Sequence, residues 1–334
     1  MRVHRGSGAM RSLVAVDAPS VWTPHDFPDE ASWSFDLSPD DQHAVIAYAQ
    51  GGDRADLGRH FGAAAARWVD LLTNGPGFVR LRRFPIDALT EAEIEHAYLG
   101  LGALLGQPVG QDRGANLITH IRDERVTSAP GVRKYRTNLR QDFHSDGSDL
   151  VGLLCLHPAK TGGESKIVSA HAVYNEMLRR APHLVDVMYR PMPWDRNEEQ
   201  SPGQAPFFEL APINDINGIP RIFFVAWYIR DSQRHPDAPR LTDDQRAALA
   251  LAERIANDPA FHIEMRFQPG DVQLLNNGTV LHSREEYTDA DDPAHRRHLL
   301  RLWLTADTPA THQLLRRGIP KQTAPLGASG VSCC

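Results

Sequence analysis

His144 and Asp146 stand two residues apart in the stretch Asp142-Phe143-His144-Ser145-Asp146-Gly147. Side chains alternate faces along a strand, so an imidazole and a carboxylate at this spacing point the same way and can hold two neighbouring corners of a metal site. A third corner is available downstream, at His282 in Asn276-Asn277-Gly278-Thr279-Val280-Leu281-His282-Ser283-Arg284. Two imidazoles and one carboxylate on one face suit non-haem Fe(II), with positions left open for substrate and O2. The same donors could hold Zn(II) for hydrolysis. In a chain with 16 histidines and 42 acidic residues, His-x-Asp is also common as a plain surface pair. Arg297 and Arg301, four apart in a strand-like run, share a face and offer fork-shaped donors for a carboxylate. Arg301 lies between Leu299-Leu300 and Leu302-Trp303, which predicts half-burial and an anionic partner.

The elements that would position these residues are mostly short strands. Strands are expected at 78–85 (alternating and half-buried), 116–122, 135–138, 150–156, 166–169, 222–229, 262–267, 272–275 and 297–305. Helices are expected from about 40 to 73, from a Thr90/Glu93 capping box to about 105, at 172–180 and 182–187, and from 241 to about 257. Many short strands, with helices grouped at the start and in inserts, argue for one mainly β domain with flanking helices (α+β), built as a sandwich or barrel. The expected boundaries are an irregular arm over 1–40, the domain over 41–310 and a polar tail over 311–334. Within the domain, 188–220 is Pro-rich and aperiodic, an insert that is either a lid or plain loop.

Bulk properties narrow the partners. The chain has 334 residues, 41% hydrophobic and 23% charged, and a net charge of −6. That balance gives no reason to expect nucleic acid. No stretch approaches 18 apolar residues and the start lacks a signal-peptide core, so no membrane partner and a cytoplasmic setting are expected. Three cysteines exclude a disulfide framework: Cys155 reads as a buried thiol, and Cys333 and Cys334 sit on the tail. A homo-oligomer is left open.

Taken together, Phe143-His144-Ser145-Asp146-Gly147, Thr161-Gly162-Gly163-Glu164-Ser165, Asn276 to Arg284 and Arg297-His298-Leu299-Leu300-Arg301-Leu302-Trp303 resemble the TauD/TfdA family of Fe(II)/2-oxoglutarate-dependent oxygenases, over roughly residues 75 to 306. The resemblance implies a double-stranded β-helix (jelly-roll) core. It implies His144, Asp146 and His282 as iron ligands, Arg297 on the distal carboxylate of 2-oxoglutarate, and Ser165 as a second contact to it where a Thr is common. Arg301 matches an arginine that in some members faces an anionic substrate. The implied cofactors are Fe(II), 2-oxoglutarate as co-substrate and O2. The implied reaction hydroxylates or desaturates a small molecule while 2-oxoglutarate becomes succinate and CO2. Asp146 disfavours a halogenase, which needs that position for halide.

On the substrate side, Tyr135, Asn138, Phe143 and Trp227 are candidates by position, with Tyr228 and Trp227 weighed against simple core packing. Asp149 would meet a cationic group or cap a turn, Arg284 would brace His282, and Arg122 and Asn116 would edge the pocket. The substrate expected is a small molecule, an organic acid or an amino-acid derivative. The competing readings are a Zn hydrolase on the same ligands, which leaves Arg297 and Ser165 unexplained, and a non-catalytic jelly-roll binding protein.

Overall fold

Two β-sheets face each other, and the histidines singled out above lie between them. The computed structural model describes residues 13–112 and 114–306. In chain order the elements are β1 (Ser34–Asp36), α1 (Pro39–Ala49), α2 (Arg54–Thr73), β2 (Phe78–Arg82), α3 (Glu91–Gly102), β3 (Gln107–Pro108), β4 (Ile118–Ile121) and β5 (Gln141–His144). Next come β6 (Leu150–His157), β7 (Thr161–Gly162), β8 (Ser165–Ser169), α4 (Ala170–Arg180), α5 (Pro182–Met188), β9 (Met192–Asp195), β10 (Phe207–Leu210), β11 (Ile213–Ile216) and β12 (Ile219–Ile222). The chain closes with α6 (Ala226–Asp231), α7 (Asp243–Ala256), β13 (His262–Met265), β14 (Val272–Asn276), β15 (Val280–Arg284), β16 (Tyr287–Thr288) and β17 (His298–Thr305).

The larger sheet runs β1-β2-β14-β6-β17-β3, with β4 also on β17; the smaller runs β13-β8-β15-β5. β1 joins β2 in parallel, while β2, β6 and β17 add antiparallel around β14 and β6. Alternation sorts the side chains. Val151 and Cys155 of β6, Leu275 and Leu299 turn inward to meet Ile167, Met265 and Val280 of the smaller sheet. Leu154, Leu274 and Leu300 turn outward against α2 and α3. Strands β6, β14 and β17 are therefore nearly continuous in apolar residues, because both faces are covered. The smaller sheet is backed by α4, α5 and α7, with Val173, Leu249 and Ile255 packed on Val168 and Leu281. Each fully buried side chain of this kind stabilises the fold by roughly 1.5–3 kcal/mol. This is a jelly-roll whose sheets are not closed on each other. Among the described residues no helix is long and apolar enough to cross a membrane.

Several expectations need correction. The helical stretch at 40–73 is two helices: Gly51 takes φ +99°, and Asp53 caps α2 by accepting from the Ala55 amide. Strand β2 is buried on both faces, including Arg80, whose guanidinium pairs with Glu30 and lies over Trp33. Residues Lys134–Arg136 form a 3-10 turn where a strand was expected. The 188–220 insert contains the β9–β10 hairpin and most of the β11–β12 hairpin. The apolar run at 222–229 is the end of β12 followed by α6. An unbroken apolar run carries no period, and packing decided it: Ala226 and Ile229, three apart, are the buried face. Within the expected arm, Trp22, Trp33 and Leu37 are buried and β1 is paired. The 311–334 tail with Cys333 and Cys334, and the first twelve residues, lie outside the described residues.

Candidate active site

Strands β5 and β15 lie side by side with His144 directly opposite His282. Their ring centroids are 4.2 Å apart. Asp146 sits two residues past the end of β5 and comes to within 3.8 Å (Oδ2) of His282 Nε2. The turn that carries it is pinned from two sides. Ser145 N donates to the Phe224 carbonyl, and Asp146 N donates to Asn277 Oδ1 at 3.0 Å. Asn277 belongs to the β14–β15 turn and also donates to the Ser148 carbonyl, so one amide ties the two halves of the site together. One donor atom from each of His144, Asp146 and His282 lies within 4.8 Å of the other two, and all three residues are buried. Donors around a small metal ion with bonds near 2.1 Å stand about 3 Å apart, so the cluster has close to the required spread.

The protonation states suit metal binding. His144 Nδ1 is 2.8 Å from the Asp142 carbonyl; a carbonyl can only accept, so the proton is on Nδ1 and the Nε2 lone pair accepts from Gln141 Nε2 at 3.0 Å, a contact that a metal at Nε2 would replace. Burial, with His282 beside it, pushes the His144 imidazolium down to about 3. Burial also lowers His282, against the opposing pull of Asp146. Burial raises the Asp146 carboxyl, but Arg301, then the two histidines and the Trp303 N–H, outweigh it and hold it at about 2. Two neutral imidazoles and an anionic carboxylate are the forms that ligate.

Arg301 donates through Nη1 to both Asp146 oxygens, at 3.1 and 3.3 Å, and through Nε to Gln111 Oε1 at 2.8 Å. Gln111, fully buried, donates back to the carbonyls of Arg301 and Leu117. The guanidinium lies over the rings of Trp303 and Tyr135. Arg301 thus commits Nε and Nη1 to Gln111 and Asp146. Gln111 escaped the sequence reading, and a single Gln in a loop carries no pattern that would reveal it.

A second polar centre adjoins β15. Arg284 and Arg297, both buried, place their guanidiniums 5.0 Å from the ring of Tyr287. Arg284 Nη2 donates to the carbonyls of Thr137 and Leu139. Arg284 Nε and Nη1, Arg297 Nη1 and Tyr287 Oη are buried without a hydrogen-bond partner. Burial lowers Arg297 from its ordinary value and, with Arg297 alongside, brings Arg284 down to about 10; a guanidinium is basic enough to stay charged in a protein at neutral pH. Two uncompensated buried guanidiniums call for an anion. Gly163, at φ +74°, makes room for this: a Cβ there would lie 3.2 Å from Arg297 Nε. Ser165 sits opposite Arg284 in the β8–β15 register, its hydroxyl donating to Gln273 Oε1.

The other sequence candidates divide. Trp227, on α6, packs on His144 with ring centroids 5.0 Å apart, and Lys134 Nζ lies 4.4 Å from the same indole. Tyr135 is beside Arg301. Phe143 turns away into the core under α4–α7. Asn138 exchanges hydrogen bonds with the Tyr287 backbone, Asp149 accepts from the Ala306 amide, and Asn116 donates to Asp112 in a turn. Tyr228 is half-buried and Arg122 exposed. A cavity of about 770 Å³ between α2, α3 and β3, lined by Tyr48, Leu99 and Leu104, contains none of the triad.

Comparison with known proteins adds a lineage. Residues 37–303 match the family model described as taurine catabolism dioxygenase TauD, TfdA family. The FR-33289 synthase of Streptomyces rubellomurinus (strain ATCC 31215) is 31% identical over 307 residues, 87% of this chain and 91% of its own. The taurine hydroxylase-like protein SAT17 of Stachybotrys chartarum (strain CBS 109288 / IBT 7711) is 29% identical over 241 residues, 68% of this chain and 60% of its own. Among solved structures, an asparagine oxygenase in complex with Fe(II), 2S,3S-3-hydroxyasparagine and succinate superposes with a TM-score of 0.63 at 18% identity, covering 82% of this chain and 94% of that one. That last likeness is one of fold.

Proposed function

The chain belongs to the TauD/TfdA family and is an Fe(II)- and 2-oxoglutarate-dependent hydroxylating oxygenase, and from that premise we propose that His144, Asp146 and His282 hold the iron. The observation that carries the assignment is the convergence of three buried donor atoms within 4.8 Å. With iron, 2-oxoglutarate and O2 bound, 2-oxoglutarate becomes succinate and CO2 as one oxygen atom enters succinate and the other a C–H bond of the substrate.

The protein's residues position and protect. The Asp142 carbonyl fixes the His144 tautomer, leaving Nε2 to ligate. Arg301 and Trp303 keep Asp146 anionic and oriented. Arg297, with Arg284 beside it, receives the distal carboxylate of 2-oxoglutarate: the unpartnered Nη1 of Arg297 and Nε and Nη1 of Arg284 fit an anion. Ser165 adds a hydroxyl at the same end. Trp227 covers His144 and keeps water from the ligand, while Lys134 above it, 3.7 Å from Asp142 Oδ2, is a cation that an acidic substrate would share with that carboxylate. This favours a small organic acid or amino-acid derivative as substrate. Family membership and the paired guanidiniums both weigh against a zinc hydrolase or an inert binding module.

The test is succinate formation by anaerobically iron-loaded protein when air is admitted, across a panel of small acids and amino acids. Succinate released above the background without substrate, for an acidic member of the panel, is expected. Stimulation by neutral or cationic compounds alone would overturn the substrate reading.

A further inference from the structure

We propose that His120, His298 and Glu91 form a second metal site, for a divalent transition ion of the zinc class, on the outer face of the larger sheet. Three elements supply it. β4 and β17 pair with His120 opposite Leu300, which leaves His120 and His298 diagonal neighbours on one face. That face points away from Arg301 and the triad, because residues 298 and 300 alternate with 299 and 301. α3 crosses it, and Glu91 and Glu95, one turn apart, look toward the imidazoles. The Thr90 cap fixes where α3 begins, and so where Glu91 stands.

The donor atoms have nearly the spacing a tetrahedral ion needs. His120 Nδ1 is 2.8 Å from His298 Nε2 and 3.6 Å from Glu91 Oε1; atoms bound to zinc at close to 2.1 Å stand about 3.3 Å apart. The two nitrogens now share one proton, and the ion would take its place. His120 is already oriented for this. Its Nε2 lies 3.3 Å from Glu95 Oε1; a carboxylate at that nitrogen favours the Nε2–H tautomer and turns the Nδ1 lone pair to the site, as in the carboxylate–histidine–metal arrangement. Burial, then His120, Arg122 and His157, hold His298 down to about 4, so it is neutral and able to ligate. Glu91 and Glu95 together outweigh the positive charge of Arg122, which faces His298. An adjoining hollow of about 490 Å³, lined by Glu95, His120, Arg122 and Glu124 among others, admits solvent for the remaining position.

The experiment counts zinc. Equilibrium dialysis against micromolar zinc chloride, with metal analysis, is run on the wild type, on a His144→Ala/His282→Ala variant that lacks the imidazoles of the first site, and on that variant with His120→Gln added. Two equivalents, one and none are expected. Glu95→Gln in the double variant should keep the single equivalent but weaken it about tenfold, because only the orienting carboxylate is lost. No zinc on the double variant, or unchanged zinc after His120→Gln, overturns the proposal. Should the double variant not fold, the otherwise wild-type chain with His120→Gln must fall from two equivalents to one, and failure to do so is equally decisive.

Discussion

His144 and His282 are direct cross-strand partners in the β5–β15 pairing, with ring centroids 4.2 Å apart. Their relative position is therefore set by backbone hydrogen bonds rather than by loop conformation, and the site is preorganised before an ion arrives. Replacing either by Ala removes an imidazole without disturbing the ladder. We expect His144→Ala and His282→Ala to retain the circular dichroism of the wild type. Both should lose the visible charge-transfer band of the anaerobic iron–2-oxoglutarate complex and all succinate formation. Full turnover in either variant would remove that residue from the ligand set.

Arg297 is buried with Nη1 unpartnered, so its fork is available to a ligand carboxylate. A hydrogen bond to a charged group is worth about 1.5–3 kcal/mol. Arg297→Ala should thus raise the KM for 2-oxoglutarate by about ten- to a hundredfold, since each decade corresponds to about 1.4 kcal/mol. Iron binding should persist. An unchanged KM would assign the anion site to Arg284 alone, and the two arginines can be separated by measuring Arg284→Ala alongside.

Asp195 gives a pH-dependent test of the insert. It accepts from Arg234 Nε at 2.7 Å and lies 2.9 Å from His235 Nε2, tying the β9–β10 hairpin to the turn after α6. Burial raises its carboxyl, but Arg234, the Asn197 amide and His235 outweigh that and lower it below the ordinary value. Between the folded and unfolded values the unfolded chain binds more protons, so stability rises with pH there. The contribution is complete above the unfolded value near pH ~4 and is lost as pH falls through the folded one. Asp195→Asn should cost about 2–3 kcal/mol at pH 7, by urea midpoint. The gap between variant and wild type should close as the pH is taken below ~4. A gap that does not narrow would mean the carboxylate's charge is not what holds the hairpin.

How much of this was legible beforehand depends on whether the signal was local. The His144–Asp146 spacing, the Thr90 cap and the outlines of β6, β14 and β17 are written in short windows, and the strands expected at 150–156 and 272–275 are found as Leu150–His157 and Val272–Asn276. α6 was not legible, because an eight-residue apolar run fits either period and only its packing against the insert decides. The partnership of Arg301 with Asp146 and Gln111 spans 155 and 190 residues and leaves no trace in local sequence. The resemblance points Arg301 toward a substrate, and it carries no sign that Nε and Nη1 are held by Gln111 and Asp146.

Gln111 is the residue on which that partnership turns. It has no exposed surface; its amide oxygen accepts from Arg301 Nε, and its nitrogen donates to the backbone on both sides. Removing it leaves a buried guanidinium N–H and two carbonyls short of partners, so Gln111→Ala should lower stability by about 1–3 kcal/mol. The functional consequence runs through Arg301 to Asp146. A carboxylate whose supporting cation is free to swing ligates less well, and the loss of such support costs metal affinity about 10- to 100-fold. Iron titration of Gln111→Ala should show that loss while the KM for 2-oxoglutarate stays close to wild type, because Arg297 does not touch the amide. If stability falls and iron affinity does not, Gln111 packs the loop before β4 and Asp146 is held by Arg301 and Trp303 unaided.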